Sequence, residues 1–537
     1  MGGSRARAAA IYGLAVLGGA GTMVVELAAV RLLAPWFGTS AGVWTNVIAV
    51  VLLGLALGYL AGARLAARSG TFERLALALG LAGFFGAFLP LGVRILAPLF
   101  LPEEVALDEA ADLVLWGSLA VSLLLFLPPS FLLGMVSPLA TQALQETQGG
   151  TAGRAGGLTL GFSTFGSLAG VFGTSHFLLP VFGLRTTFLV AGVALAGAGL
   201  VAGLLGRGRG RWIAATALLG TQSALLVDSE PTRALRPHRV EIARVESPYQ
   251  FLRVVEDRSV QPALRYLQVN EGFDSFQSVW QPAPGLLPAG FYYNDFVLPM
   301  WWERKPGEWK VLVLGLGAGT VLRVLDGARP ADTTLSCTGI EIDPWVIALG
   351  REHMGLESDE RTVLCGGLDA RVALRGRIGA FDQIVLDCYA NQIEMPPHLA
   401  TVEFFRALRA RLRIGGWLAA NLGGFGFDDP VVEALAATVT TAFDGSVFLL
   451  RVPQSRNFVL FARNAADLPL DEGGRLRTVE GLVRDLLGPR ELPGSFRVVT
   501  PDPARPILTD DRVPLESLQL ASIREGRERL LRGGARP

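Results

Sequence analysis

Cysteine is scarce in this 537-residue chain. The three present, Cys337, Cys365 and Cys388, stand in the second half at spacings that match neither a zinc site nor a disulfide framework. That pattern points to a reducing compartment and to no metal. An excess of charge is also missing: 48 basic side chains face 48 acidic ones, so nothing draws the whole chain toward nucleic acid. Charge of any sign is thin, at 18% of residues, and the mean hydropathy of +0.41 is unusual for a soluble protein of this size. Lysine is absent from the first 227 residues, which hold 12 arginines and 8 acids. The length calls for two or three domains.

What fills the first half is apolar. A helix needs roughly 20 apolar residues to cross a bilayer, and candidate spans lie near 9–33, 43–63, 75–101, 112–136, 157–182 and 187–205. Arg5 and Arg7 precede the first run as in a signal peptide, but no small-residue cleavage site follows, so an uncleaved span is expected. Arginines cluster at Arg5/Arg7, Arg64/Arg68/Arg74, Arg154 and Arg207/Arg209/Arg211, on alternate connections, whereas the 102–112 connection is acidic. The positive-inside rule then puts the N-terminus in the cytoplasm, in a multi-pass protein of the cell inner membrane. Gly54, Gly58 and Gly62, and then Gly166, Gly170 and Thr174, form small-residue ladders of the kind that let helix backbones approach. Pro128–Pro129 predicts a kink. Glu26 and His176 are ionisable groups inside spans, each a functional candidate. The alternative for Glu26 is a structural pair, and His176 is expected as a satisfied core histidine.

After Asp228 the chain changes character. Arg239–Glu246, Phe251–Asp257 and 264–270 alternate like strands of a small antiparallel unit. From Lys310 a strand, a glycine loop (Gly315, Gly317, Gly319) and a helix are followed by strands ending in Glu341-Ile342-Asp343, Asp387 and Asn421. Strands alternating with helices imply a parallel sheet covered on both faces. Glycines after the first strand let backbone approach a nucleotide at a helix N-terminus, and an acid about 20 residues later accepts ribose hydroxyls. Glu341, the Asp369-Ala370 pair and Asp387 thus gather at the C-terminal edge of the sheet. The fold class expected is an α-helical transmembrane bundle, then a small antiparallel β domain, then an α/β Rossmann-like domain of the S-adenosylmethionine-dependent transferase kind. The boundaries are 1–230, with a seventh short apolar segment at 212–227, then 231–300, 301–520, and a basic tail at 521–537.

Several segments together resemble the spermidine synthase family. Ser247-Pro248-Tyr249-Gln250, the hairpin Leu267 to Gln277, Tyr293-Asn294-Asp295, the loop Gly315 to Thr320 with Val321-Leu322-Arg323, Glu341-Ile342-Asp343 and Asp387 each look like one of its motifs. The likeness covers about 240–425. Asp387-Cys388-Tyr389, then Pro396 to Phe405 with His398, Thr401 and Glu403, and Thr509-Asp510-Asp511 resemble the membrane-fused members described as spermidine synthase-like.

The resemblance implies a polyamine aminopropyltransferase. It would use decarboxylated S-adenosylmethionine, or S-adenosylmethionine, as cosubstrate with a small polyamine or other amine such as putrescine, and homodimers occur in the family. Asp387 would be the catalytic base. Gln250, Gly315, Gly317, Gly319, Glu341, Asp343, Asp369 and Ala370 would bind the cosubstrate. Gln277, Tyr293, Asp295, Tyr389 and His398 would line the acceptor pocket. A cytosolic cosubstrate needs a cytoplasmic second half, so 212–227 is expected to lie along or dip into the membrane, although roughly 16 apolar residues can span a thinned bilayer.

Two departures stand out. Ala318 and Ala390 replace aspartates that in the family hold the aminopropyl ammonium and the diamine, contacts worth about 1.5–3 kcal/mol each. Asp295, His398 and Glu403 are the candidates to compensate, although an acid at 403 also suits a helix start. Methyl or aminocarboxypropyl transfer from S-adenosylmethionine stays open, as does a transporter with a nucleotide-sensing soluble half. The tail Arg524–Arg536 reads as a solvated helix.

Overall fold

The computed structural model describes residues 2–37, 41–100, 107–206, 210–224, 235–247, 249–269, 276–376, 379–389, 395–465, 468, 495–505 and 507–533. Arg207, Arg209, Pro248, Ala390, and residues 101–106, 225–227, 270–275 and 534–537 of the sequence reading lie outside them. The chain divides into two compact units. One holds Met1–Ala234 with short additions that include Glu246–Phe251, and the other holds the remainder.

The first unit is helical: α1 (Gly2–Phe37), α2 (Ala41–Ala66), α3 (Thr71–Ala87), α4 (Leu89–Phe100), α5 (Leu107–Leu125), α6 (Leu127–Gln148), α7 (Ala152–Gly173), α8 (Leu179–Gly206) and α9 (Gly210–Ser223). Among the described residues, four helices are long and apolar enough to cross a membrane, or up to six if each bent pair is one span. The pairs α3/α4 and α5/α6 bend by 58° and 49°. Pro128 and Pro129 open α6, so the kink lies where their missing N–H and ring disfavour a continuous helix. Pro90, in the first turn of α4, does the same for a bend that the sequence reading did not anticipate.

The glycine ladders are contact lines. A Cβ at Gly54, Gly58 or Gly62 would come within 2.7, 2.2 and 2.6 Å of Ser130, Phe131 and Pro138 on α6. At Gly166 and Gly170 it would come within 2.0 and 2.7 Å of the Val16 and Ala20 carbonyls of α1. The outside carries large apolar side chains, Phe165 being 69% exposed and Leu60 58%. His176 corrects the sequence reading: it is exposed, beside Phe172 at 5.8 Å, not in the core. A π-helical turn at Thr174–Leu178 takes this stretch off the regular helix and leaves the ring outside. The seventh apolar segment forms α9, a helix of 14 residues.

The second unit begins with an antiparallel sheet in the order β1 (Arg239–Glu246), β2 (Phe251–Asp257), β3 (Leu264–Val269), β4 (Ser278–Trp280). An eight-stranded sheet follows, made of β5 (Gly307–Leu314), β6 (Thr333–Glu341), β7 (Thr362–Gly366), β8 (Phe381–Leu386), β9 (Leu412–Gly423), β10 (Val447–Arg451), β11 (Asn457–Arg463) and β12 (Phe496–Val499). Its order is β12-β10-β11-β9-β8-β5-β6-β7. Strands β5 to β9 run parallel, as the strand–helix alternation predicts. β11 pairs antiparallel with β9 and β10, and β12 pairs antiparallel with β10; the short link between β10 and β11 allows only a hairpin.

Helices α10 (Leu298–Glu303), α11 (Thr320–Ala328), α12 (Pro344–His353), α13 (Ala370–Ala373), α14 (Val402–Arg409), α15 (Pro430–Phe443) and α16 (Leu515–Gly533) complete the unit. Residue 521 therefore lies inside a continuous helix. One apolar layer joins α14 and α15 to one sheet face, and another joins α10, α11 and the Tyr292–Val297 turn to the opposite face. The strands are consequently buried on both sides, and Leu312, Val313, Ile384 and Val385 are all inaccessible.

Candidate active site

The loop between β5 and α11 is forced by its glycines. Gly315, Gly317 and Gly319 have φ of 79°, 56° and 92°, a region that side chains with a Cβ disfavour. The space is closed as well: a Cβ at 315 would lie 2.2 Å from the Asp387 carbonyl and one at 317 would lie 2.5 Å from Ser278 Oγ. Ser278 in turn accepts the Ala318 N–H at 2.8 Å.

Glu341, at the end of β6, accepts the Gly317 N–H at 2.9 Å and the Asp343 N–H at 3.1 Å. Burial pushes its carboxyl up to about 7 against these backbone donors. The loop and the acid predicted to hold the nucleoside are therefore one hydrogen-bonded assembly. Asp343, also assigned to the cosubstrate, is fully buried and caps α12 by accepting from the Trp345 N–H at 3.0 Å.

Asp387 follows β8, the neighbour of β5. Its N–H bonds the Leu314 carbonyl at 2.9 Å, which fixes it beside the glycine loop. The side chain is half-buried and receives two neutral donors, the Tyr292 hydroxyl on Oδ2 and the Asn421 amide on Oδ1, both at 2.9 Å. Burial raises its carboxyl to about 6 despite these bonds. The phenol of Tyr292 is pushed well above its ordinary value by burial and by Asp387, so it remains a donor.

Tyr293, the residue singled out from the sequence, donates to the Gln277 carbonyl at 2.9 Å. Gln277 donates to the Tyr389 carbonyl at 3.0 Å, and Tyr389 donates to the Asn421 carbonyl at 2.8 Å. Gln277, Tyr293, Tyr389 and Asp387 thus share one network. Tyr292, whose ring lies 4.2 Å from that of Tyr293, is the tyrosine that reaches the acid.

Asp369 caps α13, accepting from the Arg371 and Val372 N–H groups at 2.8 and 3.1 Å. Its other oxygen lies 3.0 Å from His398 Nε2. Burial opposes ionisation, but the His398 and backbone hydrogen bonds outweigh it and hold the carboxyl below the usual range. Ala370 is buried behind it. Arg371 ties this corner to the C-terminal part of the chain, bonding Asp510 at 2.7 Å, and Asp510 also accepts from Thr401 at 2.7 Å. Glu403 opens α14 and accepts the Asp510 N–H at 3.0 Å, so it serves the helix start and this junction.

Asp295 is buried in the Tyr292–Val297 turn at 1% exposure. Gln250 belongs to the other unit, where its N–H bonds Ser247 Oγ at 2.9 Å in a tight turn. Ala318 is 1% exposed and packs with Leu252, Val346 and Leu349. Among the described residues, no group of three or more His, Cys, Asp or Glu side chains is placed to hold a metal ion.

No protein-family model matches the chain. Among curated relatives, the probable polyamine aminopropyl transferase of Bifidobacterium longum is 28% identical over 294 residues, 52% of this chain and 62% of that protein. Polyamine aminopropyltransferase 1 of Streptomyces coelicolor is 28% identical over 366 residues, 63% of this chain and 65% of that protein. The chain is similar to polyamine aminopropyltransferases. It spans just under two thirds of the length of either relative. Among solved structures, the spermidine synthase of Thermotoga maritima aligns over 42% of this chain and 74% of its own, with 20% identity and a TM-score of 0.34. The probable spermidine synthase of Corynebacterium glutamicum aligns over 48% and 90%, with 21% identity and a TM-score of 0.38.

The sequence reading missed Tyr292 and the role of Asn421. Tyr292 adjoins the Tyr-Asn-Asp motif, and the one signal for Asn421 is its place at the end of the predicted strand, which in the structure runs on to Gly423.

Proposed function

We propose that this chain is a membrane-tethered aminopropyltransferase that carries an aminopropyl group from decarboxylated S-adenosylmethionine to an amine such as putrescine. The observation that carries the reading is Asp387, a half-buried carboxylate held by two neutral donors and joined through its backbone to the glycine loop. The similarity to polyamine aminopropyltransferases supports it.

In this reading Glu341 accepts the ribose hydroxyls, and its backbone donors leave lone pairs for that purpose. Asp369 approaches the adenine. Asp343 and Ala370 support the loop and the adenine corner from behind. Gln277, Tyr293, Asp295, Tyr389 and His398 bound the acceptor.

The amine nitrogen attacks the methylene carbon next to the sulfonium as the C–S bond breaks and its electron pair returns to sulfur. Methylthioadenosine leaves, and the proton lost by nitrogen passes to Asp387. A carboxyl near 6 is ionised at neutral pH yet basic enough to take that proton. Alignment of nitrogen and carbon contributes most of the acceleration. The four to six apolar helices, with their exposed apolar surfaces, suit a multi-pass anchor in the cell inner membrane with the catalytic half in the cytoplasm. In that arrangement α9 lies along or dips into the bilayer.

The domain scheme is a bundle at 1–230, a β domain at 231–300 and a catalytic domain from 301. One observation favours a second reading: the apolar, buried Ala318 supplies no charge for an aminopropyl ammonium, which makes S-adenosylmethionine and methyl transfer compatible with the loop.

Purified full-length protein incubated with putrescine and each donor separates the two. Methylthioadenosine from the decarboxylated donor supports aminopropyl transfer. S-adenosylhomocysteine from S-adenosylmethionine, without methylthioadenosine, replaces it with the second reading.

A further inference from the structure

Beyond the residues that face the site, one chain of side chains ends on Asp387. Asn421 donates to Asp387 Oδ1 at 2.9 Å, Asn457 donates to Asn421 Oδ1 at 2.8 Å, and the Ser455 hydroxyl donates to Asn457 Oδ1 at 2.7 Å. The direction of every bond follows from the two ends. A carboxylate only accepts, so Asn421 must present its NH2 to Asp387 and its oxygen away. That oxygen needs a donor, which orients Asn457 in the same sense. At the far end Ser455 Oγ accepts the Asn457 backbone N–H at 3.2 Å, which directs the hydroxyl proton to Asn457 Oδ1. Asn421 lies on β9 and is 3% exposed, and Asn457 stands at the start of β11, which pairs with β9.

We infer that Asn457 is a positioning residue for the transfer reaction, locking the Asn421 amide so that Asp387 is held as an acceptor with free lone pairs facing the amine. The inference rests on the proposed role of Asp387, but its first test does not. With Tyr292 on the other oxygen, each Asp387 oxygen holds one neutral donor and keeps a lone pair. No cation offsets the buried charge there through the bonds described. The energy of the ionised form consequently depends on amide orientation.

Asn457→Asp keeps the shape and puts an acceptor opposite Asn421 Oδ1. The Asn421 amide must then turn its NH2 toward position 457 and its oxygen toward Asp387. The Asp387 carboxyl is expected to titrate about one pH unit higher, a tenfold change in proton affinity. Carbodiimide labels protonated carboxyls, so the labelling midpoint of the Asp387 peptide, followed by mass spectrometry across pH in the full-length protein without substrate, reads this directly. Asn457→Ala removes the donor without adding charge and is expected to shift the midpoint in the same direction by less. It is the variant to read if the charged one fails to fold.

A lowered melting temperature with a wild-type midpoint would mean a structural role alone and would overturn the inference. In the transfer assay, the acid limb of kcat should move with the labelling midpoint while KM for the donor stays within about twofold. An Asp387→Asn variant with wild-type transfer would sink the proposed function and leave the labelling result standing. An unmoved midpoint beside an inactive Asp387→Asn would sink only the role of Asn457.

Discussion

Replacing Gly317 by alanine tests whether the glycine loop is built as described. The residue sits at φ 56°, and its missing Cβ would lie 2.5 Å from Ser278 Oγ. A single non-glycine residue in the left-handed region costs about 1–2 kcal/mol. The methyl also displaces Ser278, which is 1% exposed and holds the Ala318 N–H at 2.8 Å. Leaving that buried donor unsatisfied costs about 1–3 kcal/mol more. The sum, roughly 2–5 kcal/mol, corresponds to a drop on the order of 3–8 °C in the melting of a unit this size. Differential scanning calorimetry of the full-length protein measures it, with the helical unit's transition as internal reference. Donor affinity should fall with it, since the Gly317 N–H also holds Glu341. A variant melting within about 1 °C of wild type, with wild-type donor affinity, would refute both the backbone conformation and the packing behind it.

The other outcomes follow from the same contacts. Asp387→Asn should lower the transfer rate by about 10²–10⁴-fold, and in the wild type the rate should be level above pH 6 and fall as pH drops through it, because the base form is lost there. The raised carboxyl also means that the native state holds this proton more tightly than the unfolded chain, whose value is 3.8. Its contribution to stability is complete below that value and is lost as pH rises through 6, a slope that the asparagine variant should abolish in denaturant titrations. Glu341→Ala should weaken donor binding by about 10–150-fold, from about 1.5–3 kcal/mol per charge-assisted contact, with little effect on the amine. In the wild type, donor affinity by calorimetry should decline as pH falls through about 7, where Glu341 takes up its proton. Gly58→Val should destabilise the helical unit, since even a Cβ would lie 2.2 Å from the Phe131 carbonyl, and an unchanged helical melting transition would contradict the close α2–α6 packing.

Much of this protein was legible in one dimension. Apolar run length and the arginine pattern marked the helical half, and the ladders at Gly54–Gly62 and Gly166–Gly170 marked the helix faces that touch. Those are properties of the local chain, because hydrophobic length and the absence of a Cβ act wherever the residue ends up. That the glycine loop, Glu341 and Asp387 lie together was legible for a related reason: in a parallel sheet, the residue that ends each strand is delivered to one edge. The kink at Pro128 was equally local.

Tertiary structure alone decided which groups meet. Tyr292, not its neighbour Tyr293, reaches Asp387, because the turn at Tyr292–Val297 aims one ring at the acid and the other at Gln277. Asp369 pairs with His398 across 29 positions, and Asp510 reaches Arg371 across 139. Asn457 comes to the site on an antiparallel strand that the strand–helix alternation did not announce. His176 went the other way, out of the core, at a π-helical turn. Periodicity and motif spacing report what a segment does to its own backbone. The partner of a side chain is set by how distant segments pack, and no local pattern carries that information.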